Sequence, residues 1–94
     1  KLTRHPEPHR EPGSTANRTA TSLSFNISGE FTYHFQEEGG DWFSLTLDRH
    51  GQYVIWAPGA FHSLVVDRCC EMLVIRWPSV PDDKILGPSP FPVE

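Results

Sequence analysis

One histidine in this chain stands where its neighbours can hold it for chemistry. In the stretch GQYVIWAPGAFHSLVV, Gly51 to Val66, His62 follows a Pro-Gly corner and opens an apolar run. Pro58 has no N–H to give a strand ladder, and Gly59 can take the positive φ of a tight corner. The period of two then places His62, Leu64 and Val66 on one strand face and Ser63 and Val65 on the other. An imidazole titrates near neutral pH, so at the mouth of a sheet it can give or take a proton. The plain alternative is a partly buried, hydrogen-bonded structural histidine.

Aromatic residues surround that position in the sequence. Tyr33, Trp56 and Phe61 together with His62 would line a pocket suited to a sugar or another flat polar ligand. In a small barrel the same rings would otherwise fill the core. His34, if it faces inward, would join His62 as an acid/base pair; facing solvent it would do nothing. Arg18 can meet a phosphate or carboxylate through two parallel hydrogen bonds. Arg76 interrupts an apolar strand and is expected to pair with an acid such as Glu71 or Glu30.

Two further groups resemble sites by composition alone. His5, His9 and Glu11 lie on a proline-broken stretch with no helix to align them, so no metal is expected there. Cys69 and Cys70 are adjacent, which strains a mutual disulfide and is the wrong spacing for a metal. They are expected to be reduced thiols, which implies a reducing, cytoplasmic compartment. Against this, Asn17-Arg18-Thr19 and Asn26-Ile27-Ser28 match the N-glycosylation triplet, the second inside an expected strand.

The elements that must position these residues are all strands. Leu23, Phe25 and Ile27 alternate with Ser24, Asn26 and Ser28, a half-buried strand. Gly29 resets the register, and Phe31, Tyr33 and Phe35 continue with Thr32 and His34 on the other face. Phe43, Leu45 and Leu47 alternate with Ser44, Thr46 and Asp48. Tyr53 to Trp56 suits a largely buried strand, and so does Met72 to Ile75. No helical period of useful length exists. Five or six short strands with turns between them predict an all-β sandwich or barrel. Residues 1–13 read as an extended or disordered arm able to add a strand to a sheet, 14–78 as the barrel, and 79–94 as a proline-rich tail packing on the barrel or a partner.

Length and charge set the outer limits. Ninety-four residues make one small domain with a thin core, whose open strand edges predict pairing into a homodimer. Net charge is −4, split between a basic first twenty residues and an acidic remainder. An acidic body argues against nucleic-acid binding. No apolar run approaches the roughly 18 residues of a membrane span, and no membrane partner is expected. The start at Lys1 rather than Met reads as trimmed, without the form of a signal peptide.

With Gly51, Pro58, Gly59 and His62 in that order, and Ser28-Gly29-Glu30-Phe31 where an earlier motif would end, residues 14–78 resemble a cupin. The resemblance implies a small jelly-roll β-barrel carrying an extended N-terminal arm and a proline-rich C-terminal tail. Metal-binding cupins supply two histidines and a glutamate ahead of that first glycine. Here the glutamate place is Ser22, and the histidine places are Thr15 and Asn17, or Ala16 and Arg18. One histidine cannot hold a transition metal, so no metal or other cofactor is expected.

Within the cupins the chain is similar to the sugar-nucleotide ketoisomerases, through GSTANRT, the aspartate-bearing turn and YVIWAPGAFHSL. That likeness implies a small polar ligand, sugar-like and extending to a nucleotide sugar. It also implies a metal-independent isomerisation, for which those enzymes use a His-x-His pair of the first motif whose places here are Thr15 and Asn17, neither able to act as a general base. The residues themselves leave His62 as the expected catalytic acid/base, with Tyr33, Trp56, Phe61, Arg18 and His34 as ligand contacts. The alternatives are a non-catalytic dimeric scaffold or regulatory module, and a metal-dependent cupin dioxygenase using His62 with His5 or His9.

Overall fold

The computed structural model describes residues 1–91. They contain ten strands and no helix: β1 (Leu2–His5), β2 (His9–Arg10), β3 (Ser14–Asn17), β4 (Thr21–Ser28), β5 (Phe31–Gln36), β6 (Trp42–Leu47), β7 (Tyr53–Trp56), β8 (His62–Val66), β9 (Cys70–Trp77) and β10 (Lys84–Gly87). The six strands from β4 to β9 are the ones that the alternating pattern predicts. The other four are short and carry no hydrophobic period of their own; neighbouring strands supply their backbone partners.

Two antiparallel sheets face each other. One has the order β1-β9-β4-β7, the other β10-β3-β8-β5-β6, with β2 also pairing β8. The first residues therefore bridge the sheets, since Leu2–His5 pairs with β9 and His9–Arg10 with β8. Pro6 and Pro8, which cannot donate to a ladder, occupy the crossing. Between the sheets lies a core of Phe31, Tyr33, Phe35, Leu47, Trp56, Leu64, Val66, Cys70 and Met72. Phe31, Tyr33 and Phe35 point inward from β5, and Tyr33 packs edge-on to Phe31 and stacked on Phe35, both at 5.8 Å.

The four-stranded sheet reverses the expected polarity. The buried face of β4 is Ser22, Ser24 and Asn26, each fully buried, while Leu23, Phe25 and Ile27 look outward and are only partly covered. The strand at Tyr53–Trp56 is likewise not largely buried. It is an edge strand in which Trp56 is buried, while Tyr53 is 61% and Ile55 51% exposed. On β9 the same alternation exposes Ile75 and Trp77 and buries Met72. Part of the reason is local: on the inner wall of this sheet Ser24 and Asn26 meet hydrogen-bonding partners, whereas Ser22 Oγ has none among the described residues.

Those partners are specific. Asn26 Nδ2 donates to the carbonyls of Gly29 and Leu47, both at 3.0 Å. Its backbone pairs with the β6–β7 turn, Asn26 N–H to Gln52 O at 2.8 Å and Gly51 N–H to Asn26 O at 2.9 Å. Asn26 is thus a structural amide, closed to glycan attachment in the folded chain. Beside it, the β4–β9 register shifts between Asn26 and Ser28, and Gly29 follows at φ 83°.

Candidate functional site

A cavity of about 140 Å³ opens between the sheets. Its walls come from both: Thr3 and His5 of β1, Trp56 of β7 and Arg76 of β9 on one side, and Thr15 and Asn17 of β3, Tyr33 of β5, His62 of β8 and Lys84 of β10 on the other. Wider depressions of about 290 and 270 Å³ run along the free edges of β6 and β7, but no histidine, acid or base lines them. The chemistry is concentrated in the smaller, more polar cavity.

The corner at Ala57-Pro58-Gly59 carries the chain from one sheet to the other. Gly59 has φ 84°, and its N–H donates to Asn17 O at 2.8 Å, which ties the corner to β3. His62 then pairs in register with Thr15 and Phe35. Its ring is only 6% exposed. Trp56 lies 4.7 Å away between ring centroids, with Tyr33 at 6.1 Å and Phe35 at 6.2 Å.

The hydrogen-bond partner fixes the tautomer. His62 Nδ1 is 3.2 Å from the carbonyl of Ala60, and a carbonyl can only accept. Nδ1 therefore carries the proton, and in the neutral ring Nε2 carries the lone pair. Burial lowers the pKa of His62 below its ordinary value, with the Ala60 carbonyl and the Glu11 charge pulling the other way and Arg76 and Lys84 reinforcing the fall. At neutral pH His62 is a neutral imidazole with Nε2 free to take a proton.

Tyr33 cannot share that task. Its hydroxyl donates to Ser24 Oγ at 2.9 Å, and burial pushes its pKa up to about 12, against the opposing effect of the Ser24 bond. It stays protonated. Trp56 Nε1 and Thr3 Oγ1, both on side chains that line the cavity, are buried without a partner among the described residues, as is Ser22 Oγ behind them. Native proteins leave few such groups unmatched, because each costs about 1–3 kcal/mol. The Trp56 and Thr3 side chains border the cavity, although the orphaned atoms themselves are closed to solvent.

Charge is distributed unevenly around the cavity. Glu11 Oε1 accepts from Leu64 N–H at 2.8 Å and so is held by the backbone of β8. Arg76 and Lys84 approach from opposite sheets, and among the described residues neither has a carboxylate within ion-pair distance. The expected pairing of Arg76 with Glu30 does not form; Glu30 meets Arg68 instead, at 3.4 Å. Arg76 escapes prediction because a cation in an apolar strand usually signals a paired charge, whereas this one faces a cavity.

Of the residues singled out in the sequence, the cavity brings together His62, Tyr33 and Trp56. Phe61 lies outside it, its ring against Gly87 of β10. Arg18 is an exposed residue whose backbone N–H donates to Asp83 O at 2.8 Å. His34 occupies the outer face of β5, with its ring 5.1 Å from Phe91. His5 does line the cavity, while its Nδ1 lies 3.0 Å from Nε2 of His9. Sequence reasoning missed Thr3, Lys84 and the cavity role of Arg76; no motif marks them.

The metal places of the cupin resemblance, Thr15 and Asn17, do face the cavity beside His62. A hydroxyl, an amide and one imidazole are a poor donor set for a transition metal. Among the described residues no three His, Cys, Asp or Glu side chains are grouped as such an ion needs. Cys70 is buried and its thiol is pushed up to about 11 by burial, then by Cys69 and Asp67; Cys69 is exposed and also free. Among the described residues no helix is long and apolar enough to cross a membrane.

Comparison with known structures finds a likeness to the capsular polysaccharide assembling protein CapF from Staphylococcus aureus. The TM-score is 0.69 at 16% sequence identity, over 88% of this chain and 25% of that one. The fold is cupin-like. This cupin-like chain spans a quarter of the length of CapF, and at that identity the likeness reaches the fold alone. No protein-family model matches the chain, and no curated protein does.

Proposed function

We propose that this cupin-like barrel binds a small polar, sugar-like ligand in the cavity between its sheets, and that His62 exchanges a proton with it. The observation that carries the reading is the buried pair Trp56 and His62. An indole whose N–H is buried without a partner among the described residues packs 4.7 Å from an imidazole whose Nε2 lone pair is free. The indole and phenol rings offer flat apolar surface to a sugar ring, and Thr15, Asn17 and His62 offer hydrogen bonds to its hydroxyls. Arg76 and Lys84 at the mouth suit an anionic substituent, as in a nucleotide sugar.

The reaction that this set supports is isomerisation. Nε2 takes the proton from the carbon beside a keto group, and the electron pair moves into the enolate. The hydroxyl proton on the deprotonated carbon passes to the former keto oxygen, and the imidazolium returns the carbon proton to the former keto carbon, so ketone and hydroxyl exchange places with no net change of atoms or electrons. The link of CapF to capsular polysaccharide favours a carbohydrate ligand for the shared fold. The barrel is proposed to act as a homodimer. If the cavity is empty of function, the barrel is a dimeric scaffold instead, a reading that the exposed apolar face of the four-stranded sheet favours.

The test is titration of the protein with neutral monosaccharides and with keto-sugar nucleotides, followed by tryptophan fluorescence. Saturable quenching that disappears in Trp56→Phe, together with loss of solvent proton exchange into bound keto-sugar in His62→Gln, is the expected result. No saturable binding by either ligand class would leave the scaffold reading in its place.

A further inference from the structure

We propose that the outer face of the four-stranded sheet is the dimer interface, closed by the same face of a second copy. The inference rests on the dimer proposed above and is independent of the ligand. It starts from the register. Leu2, Leu73, Phe25 and Tyr53 form one row across β1, β9, β4 and β7, and Ile75, Leu23 and Ile55 form the next. Trp77 stands beyond them opposite Thr21. Among the described residues, the charged side chains in register on this face are Arg4 and Glu71, opposite each other at one end and of opposite sign, and the ring of His50 packs edge-on to Phe25 at 5.7 Å.

The amount of surface matches a second protomer. Leu2 and Tyr53 are each 61% exposed, Ile55 51%, Trp77 45% and Ile75 43%. With their partly covered neighbours they present on the order of 700 Å² of apolar surface, near the ~800 Å² per partner of a standard interface. A monomer's largest apolar patch is usually about 300–600 Å². The opposite sheet is covered at one place, while Leu86 on its edge strand stays 80% exposed. At that place the chain's own tail lies over it, with Phe91 against His34 at 5.1 Å and under the Arg10 guanidinium at 4.4 Å.

A second copy is the occupant that the chemistry of the face selects. A partner recognised by complementary charge would find nothing to pair with here beyond one self-balanced pair. A flat uncharged face is complementary to itself under a two-fold axis. Two such sheets stack about 10 Å apart with interdigitating side chains. The polarity reversal of β4 then has its reason: Leu23, Phe25 and Ile27 are core residues of the dimer rather than of the barrel.

Light scattering and sedimentation across a concentration series test this, with Ile55→Glu and Tyr53→Lys as face variants and Leu86→Glu as the control. Leu86 is 80% exposed on the opposite sheet. The wild type and Leu86→Glu are expected to be dimers. Each face variant places two like charges in a desolvated interface and is expected to raise the dissociation constant about a hundredfold. Both positions are open in the protomer, so an unchanged far-ultraviolet circular dichroism spectrum certifies the fold. A wild type that stays monomeric at high micromolar concentration overturns both the dimer and its face. A dimer that both face variants leave intact, or that Leu86→Glu disrupts, overturns the face alone.

Discussion

Trp56 and His62 lie with ring centroids 4.7 Å apart, although they belong to opposite sheets. The short corner between them accounts for this. Trp56 is the last residue of β7, His62 the first of β8, and Gly59 N–H fastens the turn to Asn17 O. Both side chains are buried, and each leaves one polar group uncommitted: the indole N–H of Trp56 and Nε2 of His62. The corner thus packs an unmatched indole N–H and a proton acceptor side by side between the sheets.

The titration of His62 follows from that burial. A neutral imidazole quenches a neighbouring indole less than an imidazolium does, so Trp56 fluorescence reports its protonation. The folded pKa is lowered below 6.5 by burial. The unfolded chain binds this proton first, so stability is full above about 6.5 and declines as pH falls from there through the folded value. Wild-type minus His62→Gln fluorescence is expected to show one transition with its midpoint below 6.5, and His62→Gln to lose part of the acid-side fall in melting temperature. A midpoint at or above 6.5 would contradict the buried, neutral imidazole. His5, whose pKa is also lowered by burial and by His9, contributes to the part that remains.

Asp83 anchors the segment before β10 in a way that depends on its charge. Its carboxylate accepts N–H bonds from Thr19 at 3.0 Å and Ala20 at 3.0 Å. Desolvation pushes its pKa up, but the bonds from Ala20, Thr19 and Asn17 outweigh it and hold the carboxyl below 3.8. Stability from this group is present above the unfolded value and is lost as pH falls through the folded one. Asp83→Asn is expected to melt at a lower temperature than wild type at pH 7, with the gap closing in strong acid. An equal gap at both pH values would show that the carboxylate's charge is not what matters.

The sequence displays the period of each long strand but not the side on which the core lies. Ser22, Ser24 and Asn26 alternate with Leu23, Phe25 and Ile27 in a pattern that two opposite orientations satisfy equally. The usual choice puts the apolar set inside. It fails here because the inner wall carries hydrogen-bonding groups and the outer wall is apolar from edge to edge. The corner and His62 were legible because Pro58 and Gly59 restrict the backbone whatever surrounds them. Arg76, Lys84 and Thr3 were not, since a cavity wall assembled from three distant strands leaves no local spacing to read. Strands β1, β2, β3 and β10 depend on neighbours for their hydrogen bonds and so show no pattern of their own.

Gly29 and Gly59 separate two costs that glycine substitutions usually mix. Both have positive φ, 83° and 84°. A Cβ at Gly59 would meet nothing within 4 Å, so Gly59→Ala bears only the conformational cost of about 1 kcal/mol. A Cβ at Gly29 would collide with the carbonyl oxygen of Cys69 and lie 2.7 Å from Cys70 Cα. Those are backbone atoms at the start of β9, where β4 and β9 resume pairing after the register shift, and they cannot swing aside. Gly29→Ala is therefore expected to cost at least about 3 kcal/mol in urea unfolding. Equal losses in the two variants would mean that the β4–β9 bulge yields, and that the close approach of the two strands is not what requires glycine there.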